Sequence, residues 1–169
     1  TGSGSSMHLA GTMLAQATGT QLTHVPYSSP AAANTDVIAG RLDAMFLGTP
    51  GTGPLLRAGE IKALAVLAKQ RAATLAEVPC TAELGLPEVV MGPWFALIAP
   101  KGTPRAVIAA LNEEVNAVLA GPGRQALADL GLELGDGMAG GSAEHAAAFI
   151  AAEITRHAEL VRAAGISVD

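Results

Sequence analysis

The sequence predicts an α/β fold built on a largely parallel sheet, and three observations support that prediction. Helix-like and strand-like patterns alternate through residues 1–92, as they do in layered α/β folds. The run from Lys62 to Ala68, KALAVLA, is almost wholly apolar, and its length favours a strand buried on both faces. The strand candidates are followed by polar loops that lead into helix starts.

The first half of the chain is expected to alternate three helices with three strands. Ser5 or Ser6 can cap a first helix that runs to about Ala17, with Gly19 as its stop. The elements expected after it are, in order, a strand at 22–25, a helix with Ser29 as cap and Pro30 at its first position that ends at Gly40, a strand at 43–47, a short helix between Pro54 and Gly59, and the strand at 62–68.

The second half is expected to be mostly helical. Its helices carry broad apolar stripes but have little predicted sheet to cover, so they need a further partner surface. The expected elements are a short helix near Thr81–Leu84, a strand from Trp94 to Pro100, a helix capped by Thr103 with Pro104 first that runs to about Ala120, a helix from about Pro122 to Leu130, a strand at 132–134, and a last helix from a Ser142 cap to about Ala164.

Composition and motifs exclude several classes of function. The 169 residues are 50% hydrophobic with a net charge of −5, and without a basic run they do not suit nucleic acid. No apolar run reaches the roughly 20 residues of a membrane span. Neither a dinucleotide fingerprint, a P-loop nor a metal-ligand spacing is present.

The opening stretch GSGSSM is the first candidate site. Free N–H groups at a helix start, together with serine hydroxyls, can hold a carboxylate or a phosphate. The alternative is a serine hydrolase-like α/β enzyme that uses Ser5 or Ser6 with His8 or His24, although the G-x-S-x-G elbow is absent. Ordinary helix capping is the third interpretation of these serines.

Two further loops have the same character as the opening stretch. The turn Tyr27-Ser28-Ser29 follows a strand candidate and opens a helix, and the loop from Gly48 to Thr52 does the same. Because parallel strands end at one edge of a sheet, the three loops are expected to share one binding site. That site would contain no evident acid, base or nucleophile.

The motifs, taken in order, resemble the Bug family, the solute-binding proteins of tripartite tricarboxylate transporters. The resemblance runs from Gly2 to Ile166 and is carried by GSGSSMHLAG, THVPY, the KALAV run before VPCTAELGLP, and WFALIAPKGTP leading into a helix. It implies a periplasmic, two-lobed type II periplasmic binding protein, or Venus flytrap. Such a protein binds a small organic anion between its lobes without altering it, and delivers it to integral membrane permease subunits.

The resemblance also implies that the chain is a truncated fragment with two parts. Residues 1–92 correspond to the second, ligand-binding lobe, incomplete at its start. Residues 93–169 correspond to the C-terminal return to the first lobe, which is mostly helical. Apolar helices left exposed in this way are expected to favour self-association of the fragment, and they leave a partner-binding scaffold as another possible role.

The family's ligand-gripping loops map onto eight positions of this chain. No catalytic residue, cofactor or metal is implied. Family members commonly have Lys-Gly after the tyrosine of VPY, where this chain has Ser28-Ser29, and an Asp-containing pair after MF, where it has Leu47-Gly48. The predicted ligand-binding residues are Ser3, Gly4, Ser5, Ser6, Tyr27, Ser28, Ser29 and Thr49.

Overall fold

The computed structural model describes residues 2–49, 52–132, 134, 140–163 and 165. Within these ranges the regular elements are helices and one short 3-10 helix at Ala73–Leu75. The α-helices are α1 (Ser6–Thr18), α2 (Pro30–Ile38), α3 (Gly53–Arg57), α4 (Arg105–Ala120), α5 (Pro122–Asp129) and α6 (Ala143–Ala163).

Local capping signals set the starts of α1, α2 and α6 and the end of α1, and these predictions are confirmed. The Ser5 side chain caps α1, and Gly19 ends that helix in the left-handed region at φ 67°, which glycine adopts without a steric penalty. The Ser29 side chain caps α2, with Pro30 as its first residue. The Ser142 hydroxyl oxygen accepts a hydrogen bond from the first turn of α6 at 3.2 Å.

Two predicted details of the second half are wrong. Helix α4 begins at Arg105 with Pro104 as its N-cap, because the Thr103 hydroxyl donates backward to the Pro100 carbonyl instead of capping the helix. The segment at 81–84 forms turns and not a helix. There the buried Thr81 hydroxyl donates to the Val89 carbonyl at 2.7 Å, which binds this turn to the chain that follows it.

The predicted strands do not pair into a regular sheet within the described residues. The segments at 22–25, 43–47 and 94–100 are irregular chain, and the segment at 62–68 holds only an isolated parallel bridge between Val66 and Cys80. A strand needs a hydrogen-bonded neighbour along its length, and within the described residues the bridge at Val66 does not extend into such a ladder. The strand predicted at 132–134 lies partly outside the described residues.

The chain divides into two compact units, here called unit 1 (Thr1–Pro93 with Ala158–Asp169) and unit 2 (Trp94–His157). The buried cluster of unit 1 consists of Leu9, Ala10 and Met91. The ring of Phe46 also packs on α1, 3.2 Å from where a Cβ on Gly11 would stand. The partly buried side chains around this cluster are Met13, Phe46, Leu67, Leu160 and Val161.

Unit 2 is organised without a buried core. None of its described side chains is buried, and the apolar stripe predicted on α4 is exposed at Val107, Leu111 and Val118. Hydrogen bonds connect α4 to the start of α6. The Asn116 side chain donates to the Gly141 carbonyl at 2.9 Å and accepts from the Gly141 amide at 2.8 Å.

Candidate functional site

The glycine–serine loop before α1 folds back onto the first turn of that helix. The Ser5 amide donates to the Gly2 carbonyl at 3.2 Å, and Gly4 has φ 76°, a conformation that favours glycine. The Gly4 amide donates to Nδ1 of His8 at 3.2 Å, and the His8 amide donates to the Ser5 hydroxyl oxygen at 3.3 Å. Ser3 is exposed in this turn, and Ser6 is the first helical residue.

The first turn of α1 suits an anion, because its leading amides have no acceptor within the helix. Ser6 and Met7 are the first two residues of α1, which is 13 residues long. The partial positive charge of a helix N-terminus favours a carboxylate placed there. The Ser5 oxygen already serves as the cap, so it stabilises the loop.

The second predicted turn is connected to the first through two histidine rings. His24 stacks on His8 with ring centroids 3.8 Å apart and planes 9° apart. His24 belongs to the segment that leads into Tyr27-Ser28-Ser29. From the sequence, these histidines are candidate bases for a hydrolase. Their contact joins positions that are distant in sequence, so no local pattern indicates it.

The hydroxyl group of Tyr27 contacts helix α2. The phenol donates to Oδ2 of Asp36 at 2.6 Å, and Oδ1 of Asp36 accepts from Nε of Arg41 at 2.9 Å. These contacts lower the pKa of Asp36, with the Tyr27 hydrogen bond as the largest cause and the Arg41 hydrogen bond next. The Asp36 bond also raises the pKa of Tyr27. Tyr27 therefore supports the turn, while Ser28 is exposed.

The third predicted turn is only partly described, since Pro50 and Gly51 lie outside the described residues. The Thr49 carbonyl accepts from the Thr52 hydroxyl at 2.7 Å and from the Thr52 amide at 3.2 Å. Helix α3, which follows, has only five residues. Its N-terminal field is weaker than that of α1, because the dipole grows with the number of aligned peptides.

Contacts on one side of α1 hold the segments that lead to the second and third turns. His8 and Gly11, which are i and i+3 neighbours on the helix, contact His24 and Phe46 respectively. Ser28 follows His24 within about 15 Å of chain, and Thr49 follows Phe46 within about 11 Å. A common hollow among the three turns stays a prediction.

An open groove of about 530 Å³ lies elsewhere in unit 1. None of the eight predicted ligand-binding residues lines it, and its walls come mostly from the chain that follows α3, at 59–63, and from residues 74–78 in and after the 3-10 helix. It is lined by Leu56, Gly59, Ile61, Lys62, Ala63, Thr74, Leu75, Ala76, Glu77 and Val78. The predicted ligand-binding residues therefore lie apart from this groove.

The local electrostatics favour a neutral His8. Burial is the largest cause that lowers the pKa of His8, and the positive charge of His24 comes next. Nδ1 of His8 accepts the Gly4 amide, so this nitrogen is occupied by the backbone. Among the described residues, no group of three or more His, Cys, Asp or Glu side chains could hold a metal ion. No described helix is long and apolar enough to cross a membrane.

Comparison with known proteins decides the family. The model of the tripartite tricarboxylate transporter family receptor, TctC, matches residues 1–166. The chain belongs to this receptor family. This membership confirms the predicted resemblance to the Bug family. The chain also matches a solved periplasmic binding protein named BugD. That structure is 33% identical, has a TM-score of 0.77, and is matched over 95% of this chain and 54% of its own.

Two other solved receptors of similar fold hold dicarboxylates. Rpa4515 of R. palustris with adipate is 35% identical with a TM-score of 0.84, and the match covers 96% of this chain and 54% of that one. MatC of Rhodopseudomonas palustris with bound malate is 30% identical with a TM-score of 0.73, over 92% of this chain and 53% of that one. The predicted fold of a type II periplasmic binding protein is therefore confirmed.

The chain spans about half the length of the curated relatives it matches, 47% and 49% of the first two. The similarity in backbone path extends over nearly the whole of this chain. The segments predicted as strands therefore follow the course of the receptor fold even though they do not form ladders within the described residues.

Proposed function

We propose that this protein is the solute-binding component of a tripartite carboxylate transport system. It binds a small organic anion and delivers it unchanged to integral membrane permease subunits. The observation that carries the proposal is the receptor-family match over residues 1–166. Similar receptors with adipate and with malate indicate a dicarboxylate as the ligand class.

In the proposed site, neutral hydrogen-bond donors bind the anion. Amides of the first turns of α1 and α2, with hydroxyls of Ser3, Ser6 and Ser28, would face one carboxylate, and both helix dipoles would favour its charge. Tyr27 and Ser29 would set the second turn through their contacts with α2. Thr49 would add the third turn.

We infer that the protein acts in the periplasm, because a solved structure that it resembles is a periplasmic binding protein. In the proposed receptor, residues 1–92 supply most of the second, ligand-binding lobe, and residues 93–169 supply the return to the first lobe. Closure of the two lobes over the anion would complete the site and signal the permease. No step of this cycle requires catalysis.

The hydrolase alternative is not favoured by the geometry. Nδ1 of His8 accepts from the Gly4 amide, and the Ser5 hydroxyl oxygen accepts from the His8 amide. A serine nucleophile needs its hydroxyl proton directed at a histidine nitrogen. A fluorophosphonate probe is therefore expected to leave Ser5 and Ser6 unlabelled, and covalent labelling of either serine would support an enzyme.

Amide chemical shifts of the labelled protein test anion binding turn by turn. Adipate or malate at millimolar concentration is expected to move the amide signals of Ser6 and Met7, with smaller shifts near Ser28 and Thr49. We expect weak binding, because only part of the receptor's length is present. Adipamide, which has the same length without charge, is the control and should shift nothing. Equal shifts with adipamide, or shifts confined to other residues, would contradict the proposal.

Self-association of this chain is the second expectation under the proposal. The side chains of Phe95, Leu97 and Ile98 are each more than 70% exposed, and apolar surface of this extent favours association. Light scattering coupled to size exclusion is expected to show oligomers that dissociate on dilution. A strictly monomeric chain at high concentration would rule this out.

A further inference from the structure

We propose that His8, with His24 stacked upon it, is a positioning residue of the candidate anion site. Its neutral imidazole holds the Gly4 amide, fixes the glycine–serine loop before α1, and connects that loop to the segment carrying Tyr27-Ser28-Ser29. The assignment of this loop as a binding site rests on the proposed function. The positioning role itself concerns the loop, whether or not an anion is present.

The hydrogen bonds around His8 form a closed local unit. The His8 amide donates to the Ser5 hydroxyl oxygen, and the His8 ring accepts from the Gly4 amide. One residue thus holds both the cap and the glycine that precedes it. Since Gly4 sits at φ 76°, its peptide orientation needs such a partner to remain fixed in a loop of small residues.

The stacking contact extends this unit to a second loop. Rings 3.8 Å apart and nearly parallel keep His24 over the first turn of α1, where His8 lies. His24 is itself exposed. The ring contact therefore connects the segment of 24–29 to the first turn of α1.

The charge around the pair keeps Nδ1 of His8 available as an acceptor. Burial is the largest cause that lowers the pKa of His8, and the positive charge of His24 lowers it further. The N-terminal field of α1 also disfavours an imidazolium in its first turn. The ring therefore stays neutral to a lower pH than an ordinary histidine does. Protonation at lower pH would place an N–H against the Gly4 N–H and release the loop.

Protection of the Gly4 amide from hydrogen exchange, corrected for the intrinsic rate, tests the positioning role in the labelled chain without any ligand. Protection is expected to be constant at pH values above the His8 ring titration and to fall with the midpoint of that titration. In His8→Phe, protection of Gly4 should be about tenfold lower or more wherever His8 would be neutral, because one hydrogen bond is lost, and it should not change through the titration range. Unchanged protection in His8→Phe would overturn the proposal.

Two conservative variants separate positioning from a general structural role. His8→Asn places an amide oxygen where Nδ1 stood, so it should keep Gly4 protected and make that protection independent of pH. His24→Phe keeps an aromatic stack but removes a positive neighbour, so the midpoint should rise toward the usual histidine value. A His8→Asn variant that loses protection, or a midpoint unmoved by His24→Phe, would overturn the assignment. If circular dichroism shows that His8→Phe does not fold, the two conservative variants and the unmodified chain still test the positioning role of His8.

Adipate titrations distinguish a failure of the positioning role of His8 from a failure of the proposed function. If adipate shifts the Ser6 and Met7 amides, His8→Asn should retain those shifts and His8→Phe should weaken the apparent affinity about tenfold. If adipate shifts nothing in the unmodified chain, the proposed function fails, while the exchange measurements on Gly4 still decide the positioning role.

Discussion

Unit 1 and unit 2 both contain amphipathic helices, but the apolar side chains of these helices are buried to different extents in the two units. In unit 1, α1 packs Leu9 and Ala10 against Met91 and leaves each of them at most 6% exposed. In unit 2, α4, α5 and residues 143–157 of α6 leave no described side chain buried. Helix formation and burial are therefore separate outcomes in this chain.

The reason lies in what surrounds each helix. Helix α1 is approached by non-helical chain at 46, 67 and 91 and by the last turn of α6, so several segments share its apolar face. In unit 2 the neighbours of α4 supply hydrogen bonds, such as those of Asn116 with Gly141. Apolar burial stabilises a helix far more than one hydrogen bond does. The difference teaches that amphipathic helices form readily from local signals but need converging segments to become a core.

Cooperative unfolding gives the largest expected contrast between the units. Trp94 is the only tryptophan, belongs to unit 2, and contacts Phe149 edge to face at a centroid distance of 5.5 Å. The Trp94 fluorescence, which reports unit 2, is expected to change at a lower urea concentration than the amide exchange of Leu9 and Ala10, which reports unit 1. The free energies of opening of the two units should differ by roughly 2 kcal/mol or more. Coincident transitions would show that the chain unfolds as a single unit and would remove the contrast.

Paired truncations measure the same contrast at single side chains. Leu9→Ala in unit 1 is expected to lower the free energy of unfolding by about 3 kcal/mol, because it leaves a cavity among buried neighbours. Ile154→Ala in unit 2, where the side chain is 65% exposed, should change it by less than about 0.5 kcal/mol. Urea denaturation of both variants provides the comparison. A large cost at Ile154 would mean that another copy of the chain covers it.

The contact between α4 and residue 141 tests whether hydrogen bonds order unit 2. Asn116→Ala removes both a donor and an acceptor to the Gly141 backbone and is expected to cost about 1 kcal/mol. Exchange of the Gly141 amide should accelerate while that of Leu9 stays unchanged. The matched control is Asn112→Ala, which removes a donor to the Gly141 carbonyl but keeps the acceptor of its amide, so Gly141 exchange should change less. Equal exchange in both variants would contradict the role of Asn116.

The smallest expected effect is electrostatic and belongs to unit 1. Tyr27→Phe removes the largest cause that lowers the pKa of Asp36, so this pKa should rise toward its ordinary value while the Arg41 contact remains. Because the folded state lowers the pKa of Asp36, its contribution to stability is present above the unfolded pKa and is lost as pH falls through the folded one. In Tyr27→Phe the contribution of Asp36 to stability should be smaller, and its loss should be complete at a higher pH. Carbon-detected titration of the Asp36 carboxyl measures the shift, and an unchanged midpoint would contradict the coupling.

Local chemistry made the helices predictable and left the rest of the fold unpredictable in detail. Ser5, Ser29 and Ser142 cap helices through atoms three residues away, so the signal lies within one short stretch. Strand formation depends on a neighbour supplied by distant chain, and an apolar run such as that at 62–68 carries no information about whether the neighbour is present. The Thr103 cap failed because its hydroxyl had a closer acceptor behind it.

The candidate site was predictable as a set of residue types but not as a set of contacts. Glycines and hydroxyls before α1 and α2 indicated anion binding on local grounds. The roles of Tyr27 and His8 depend on Asp36 and on the distant ring of His24, respectively. No periodicity or spacing in the sequence relates His8 to His24, so only the folded chain reveals that pair.

The segment from Phe95 to Ile98 has consequences for how the protein behaves during synthesis and storage. Its side chains at 95, 97 and 98 are 77%, 72% and 78% exposed, it carries no charge, and two of its residues, Phe95 and Ile98, favour β structure. Short uncharged segments of this kind can add to the sheet edge of another molecule and seed cross-β growth. Precipitation of the protein should accelerate steeply as its concentration rises. Leu97→Lys should slow this precipitation without disturbing α1.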